Sequence, residues 1–168
     1  MILRLATVLH VLAASIYVGG SLFLELVFTP AQEFIPPAQA SVIGQRVGRR
    51  FAILAWVALL ILGLTGVVQL YAFDMLKAEF FQTRVGLWTL VMVIAWVFLV
   101  VNGAIMTFWL RPKLEGKLPL PVKPEDGVRK LEELTQASRQ LEKLVRVNTA
   151  VSAVALVVGA SIRYGGLF

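Results

Sequence analysis

Four apolar runs decide the architecture of this chain before any motif is considered. They cover roughly Leu5–Phe28, Phe51–Phe73, Val85–Leu110 and Val147–Tyr164 of 168 residues. A helix needs about 20 residues to cross a hydrocarbon core, and each run is close to that length. Inside lipid every backbone N–H and C=O must be satisfied within the chain, which leaves helices or closed barrels. The runs lack the alternation of a lipid-facing barrel strand. The expected fold is an all-α integral membrane protein: a four-transmembrane-helix bundle forming a single domain over residues 1–168. The first run is preceded by only Arg4 and continues to Phe28, so it reads as a retained helix and not as a cleaved signal.

The net charge of +6 is spread unevenly over the connections. Taking the amino terminus as one side, that side receives Arg4, Lys77, Arg84 and Arg163. The other side receives Arg46, Arg49, Arg50, Arg111, Lys113, Lys117, Lys123, Arg129, Lys130, Arg139, Lys143 and Arg146. Basic residues accumulate on cytoplasmic loops. The expectation is an inner-membrane protein with both termini facing the periplasm or exterior. The basic groups suit the anionic headgroups of the lipid bilayer, each worth about 1 kcal/mol near the surface, and nucleic acid is not needed to explain them. Cysteine is absent, which excludes disulfides, thiolate copper sites and thiol redox chemistry.

The first basic connection holds Pro30, Pro36 and Pro37 and is then proline-free to Arg50. Because proline is favoured in the first helical turn, helix two is predicted to start near Pro37 and enter the membrane at Phe51. The second basic connection is proline-rich from Pro112 to Pro124 and becomes a charged helical stretch, Glu125–Arg146. Val128, Leu131, Leu134, Leu141 and Val145 form a stripe along it. Glu125–Arg129, Asp126–Lys130 and Glu142–Arg146 are favourable i,i+4 pairs. No proline or glycine interrupts its junction with Val147. One helix of about 60 Å is expected, at about 1.5 Å per residue, so helices two and four extend into the cytoplasm. The stripe is expected to pack on helix two, with a docking surface for another protein as the alternative.

Antiparallel order sorts the polar residues by depth. His10, Gln69, Trp88, Met92, Arg163 and Tyr164 fall near the outer face, with Arg84 at its rim. Glu25, Arg49, Arg50, Asn102, Met106, Arg146 and Asn148 fall near the cytoplasmic face. An apolar middle separates the two layers, and no line of ionisable groups crosses it. Glu25, the one acid inside an apolar run, is expected to pair with a basic residue at its level, with a cation or proton site as the alternative. Small residues such as Ala13, Gly19, Gly20, Gly63, Gly66 and Gly159 permit close helix approach. The adjacent Gly19 and Gly20 stand out, since they weaken a helix without serving a single packing face.

His10 is the only histidine, and ionisable groups at membrane depth are functional candidates. Three readings stand. The ring is satisfied across helices by a residue such as Gln69; or it is the axial ligand of a b-type haem; or it binds copper. Copper lacks an evident three-ligand set, whereas haem needs one or two ligands. In the haem reading Met92, or His10 of a second copy in a homodimer, supplies the other ligand. Gly19 and Gly20 then line the macrocycle, and Arg4, Lys77, Arg84 and Arg163 on the same side are the candidates to pair with its propionates. The function leading from this reading is electron transfer or haem and porphyrin handling, with a redox or quinone partner. A non-catalytic membrane scaffold is the third possibility.

Leu9-His10-Val11 through Ile16-Tyr17-Val18-Gly19-Gly20, then Phe23 and Val27-Phe28-Thr29-Pro30, resembles the first helix of the CopD-like membrane proteins. Those show a leucine–histidine pair, an aromatic–X–Gly-Gly step and a proline at the helix exit. Arg49-Arg50-Phe51 and Leu62-Gly63-Leu64-Thr65-Gly66 resemble their second helix. The likeness covers about the first 70 residues, and beyond that only helix count and loop placement. A weaker likeness extends to the HemJ protoporphyrinogen oxidase family, which implies haem b. The CopD resemblance implies copper transport or tolerance. By position only His10 carries over as functional, with Gly19 and Gly20 as its packing companions.

Overall fold

A computed structural model describes residues 1–115 and 124–162. Four long apolar helices form the molecule, and the described residues contain no strand. Helix α1 spans Ile2–Phe23 and continues through a π segment, Leu24–Phe28, to Phe34. Helix α2 spans Pro37–Ala72. Helix α3 spans Arg84–Ala104 and runs on through a second π segment, Ile105–Leu110, to Glu115. Helix α4 spans Pro124–Ile162. The all-α four-helix membrane architecture expected from the sequence is what the chain adopts. Helix α2 begins at the expected proline. Helix α4 is one uninterrupted rod, 39 residues long, or about 58 Å at the standard rise.

Helix α1 does not stop at Pro30, as its helix-exit position suggests; it runs past it. Proline lacks an N–H, and its ring collides with the carbonyl four residues back. The helix widens just ahead of the proline, so that the Thr29 N–H bonds the Leu24 carbonyl, five residues back. The Thr29 hydroxyl donates to the same carbonyl at 2.9 Å. Helix α3 does likewise ahead of Pro112, where Arg111 N–H reaches Met106 O. In both helices the π segment ends two residues before the proline. Such wide turns relieve local conflicts in the i→i−4 ladder.

Helix α1 packs most extensively on α2 and also on α4; α3 packs on α4 and only lightly on α2. Helices α1 and α3 are therefore diagonal. Ala13, Tyr17 and Val18 of α1, Ala58 and Leu59 of α2 and Leu99 of α3 form the buried centre. The light α2–α3 seam is held by two indoles. Trp96 Nε1 donates to Leu59 O at 3.0 Å, and Trp56 Nε1 to Thr107 Oγ1 at 3.3 Å. Gly63 leaves the space that the Trp96 ring fills. The stripe on the α4 extension packs mainly on the far end of α3, residues 105–115, and not on α2 as expected. Leu134, Leu141 and Val145 are partly covered there, whereas Val128 is 61% exposed. Glu125, Asp126 and Lys130 of the expected pairs, and Arg163 and Tyr164, lie outside the described side chains, while Arg129 stands 3.8 Å from Glu133. Glu142 and Arg146 do pair, at 2.6 Å.

Candidate functional site

Antiparallel packing of α1 on α2 places His10 against Thr65 and Gly66. The ring nitrogen Nδ1 lies 2.8 Å from Thr65 Oγ1. A methyl added at Gly66 would stand 3.8 Å from the ring carbon Cε1, so the glycine seats the imidazole edge. The Thr65 hydroxyl has one proton. It goes back to the Ile61 carbonyl at 2.6 Å, with Leu62 O more distant at 3.3 Å. The oxygen therefore accepts from His10, and Nδ1 carries the hydrogen. In a neutral ring that leaves Nε2 with a free lone pair, the state suited to a metal ion or an outside donor. Of the three sequence readings, the cross-helix bond exists, but to Thr65 and not to Gln69. Gln69 lies one turn further along the same face of α2, and its Nε2 is the one buried side-chain polar atom without a partner among the described residues.

The other residues proposed around His10 are dispersed. Met92 packs on α4, its Cε 3.1 Å from where a Cβ on Gly159 would be. It belongs to the α3–α4 seam, on the helix diagonal to α1. Arg84 is exposed at the first turn of α3 and takes part in its own interactions. Gly20 takes the Phe51 ring of α2 in close contact, whereas Gly19 has open space. Gly20 thus serves helix packing nearly three turns from His10. The residues named for a haem do not assemble into one macrocycle site, and the structure gives that reading no support.

At the basic end of the bundle lies a second polar cluster. Asn148 Nδ2 donates to the Tyr17 hydroxyl at 2.9 Å, and Asn102 Nδ2 donates to Asn148 Oδ1 at 3.3 Å and to Leu144 O at 3.1 Å. All three residues are buried, and they tie α1, α3 and α4 together. Sequence reasoning placed the two asparagines at this level but missed Tyr17. Further toward the same end, Arg146 Nε lies 3.2 Å from Glu25 Oε1, the pairing expected for that half-buried acid. Arg111 Nη2 donates to Gly48 O at 2.5 Å, clamping α3 to α2. Two polar layers separated by apolar packing are therefore present. Among the described residues no group of three or more His, Cys, Asp or Glu converges on a point.

These features define a polytopic helical membrane protein with a single imidazole at depth, oriented by a threonine. The model of a known family, copper resistance protein D (CopD), matches residues 45–162. That is well over half of the chain, and the chain belongs to this family. The match takes in α2, α3 and α4, with Thr65, Gln69, Asn102 and Asn148. It leaves out α1, where His10 and the strongest part of the sequence likeness lie. No curated protein and no solved structure matches the chain.

Proposed function

We propose that this protein handles copper within the membrane, conveying the ion or supporting tolerance to it, with His10 as a point of contact. Membership of the copper resistance protein D family carries this reading. The geometry at His10 supports the choice of residue. Its Nδ1–H is engaged by Thr65, and such a bond on one ring nitrogen orients the other for metal binding. The chain has one histidine, no cysteine and four methionines, a ligand supply better suited to passing a soft ion than to storing it. Conduction needs binding weak enough to release. The sequence assigns twelve basic residues to the connections on one side, and this supports reading that side as the cytoplasmic face of an inner membrane.

The test is copper binding and copper content. Detergent-purified protein should take up copper, and His10→Ala should lose most of it. Cells expressing the chain should differ in copper accumulation or tolerance from cells expressing His10→Ala. A protein that binds no copper, and cells whose copper is unaffected by expression, would overturn the reading.

A further inference from the structure

Gln69 carries an anomaly that packing does not explain. A buried amide N–H without a partner is costly, and more so where no water can reach it. The described residues hold one such side-chain atom, Gln69 Nε2. Its place follows from the register of α1 against α2. Gly20 meets Phe51, and His10 meets Thr65 and Gly66. That register brings Gln69 level with Ala6, one turn before His10 on the same face of α1. Ala6 is buried, and its side chain offers no acceptor at that level.

Thr65, Gly66 and Gln69 share a face of α2, with Gln69 about 6 Å further along the axis than Thr65. His10 opposite them has an unused lone pair at Nε2, while Gln69 has an unused donor. The two unmet groups are complementary in kind, and the residues at their level include the small Ala6 and Gly66. We propose that Gln69 is a positioning residue of the same site. It donates Nε2–H to the water or anion that completes the coordination of a copper ion held on His10 Nε2. This rests on the copper reading above. Gln69 touches the ion's companion and not the ion, so it sets affinity and geometry while His10 supplies the bond.

The full chain in detergent, with copper(II) as the probe, separates the possibilities. Gln69→Leu removes the donor but keeps the bulk. Replacing an unsatisfied donor by an apolar group is neutral or stabilising. The copper-free variant should therefore unfold at the same temperature as the parent or higher. Its copper affinity should fall about 10-fold or more, as for other outer-shell partners, and its copper electron paramagnetic resonance spectrum should shift. Gln69→Met serves where the leucine variant fails to fold. A clear loss of thermal stability without copper would reveal an internal partner for Gln69 and overturn the proposal. So would unchanged copper affinity and spectrum in Gln69→Leu while His10→Ala abolishes nitrogen coupling to the metal. If His10→Ala leaves copper binding intact, the reading of His10 itself fails, a different outcome from either.

Discussion

His10 Nδ1 and Thr65 Oγ1 meet at 2.8 Å across the α1–α2 seam, and the direction of that bond is fixed by a third group. Because Ile61 O takes the hydroxyl proton, the imidazole is the donor. Thr65→Val should keep the helix packed but release the ring from this orientation. Copper affinity, read by competition with a chromophoric chelator, should fall about 10–100-fold. An unchanged value would remove Thr65 from the site.

Tyr17→Phe tests the buried cluster at the basic end. The Asn148 amide loses the hydroxyl it now bonds at 2.9 Å. Polar contacts between membrane helices contribute modestly, so a loss of about 0.5–1.5 kcal/mol is expected in denaturant unfolding. Combining Tyr17→Phe with Asn148→Ala should cost less than the two separate losses together. Full additivity would show that the hydroxyl and the amide are not coupled.

The neighbouring glycines of α1 should behave in opposite ways. A methyl at Gly20 overlaps the Phe51 ring, while one at Gly19 meets nothing within 4 Å. Gly20→Ala should destabilise by about 1–3 kcal/mol, and Phe51→Leu should recover part of it. Gly19→Ala should be neutral or stabilise by up to about 1 kcal/mol through helix propensity. Thermal unfolding of the two single variants decides the matter, and equal effects would contradict the packing described.

Glu25→Gln breaks the tie between α1 and α4 at Arg146. Arg146 is well exposed and keeps Glu142 as a partner at 2.6 Å. The loss should be about 1 kcal/mol or less and should shrink further at high salt. A larger, salt-independent loss would give Glu25 a role beyond clamping the helices.

Orientation can be read with single cysteines, since the chain has none of its own. Glu79 and Glu132 are both exposed, at opposite ends of the bundle. A membrane-impermeant maleimide should label Glu79→Cys in intact cells and Glu132→Cys only after permeabilisation. The reverse pattern would invert the assignment of the basic end to the cytoplasm.

Much of the fold was legible because it depends on one-dimensional signals. Run length gave the four helices, Pro37 the start of α2, and the absence of a breaker before Val147 the unbroken α4. What depends on helix rotation was not legible. Tyr17 and Asn148 are 131 residues apart, and nothing in either segment says which faces meet. For His10, Thr65 and Gln69 lie on one face a turn apart, and periodicity does not choose between them. The α4 stripe was visible, but its partner, the far end of α3, was set by which helices became diagonal. Nothing in the sequence singled out Trp56 or Trp96, although Gly63 beneath the Trp96 ring was a signal of close approach. The family likeness was seen most strongly in α1, whereas the match begins at residue 45.

The π segments ahead of Pro30 and Pro112 amount to one inserted residue in each rod. An extra residue turns everything beyond it by about 100° relative to an unbroken α-helix. The two ends of α1, and of α3, therefore present faces set independently of each other. A helical wheel drawn through the whole of either rod assigns wrong faces to one half. Alignments with other chains should accordingly break by a single-residue gap at Leu24–Phe28 and at Ile105–Leu110. Deleting one residue there would rotate Gln32, which bonds Ala40 O at 2.8 Å, away from α2 while leaving His10 where it is.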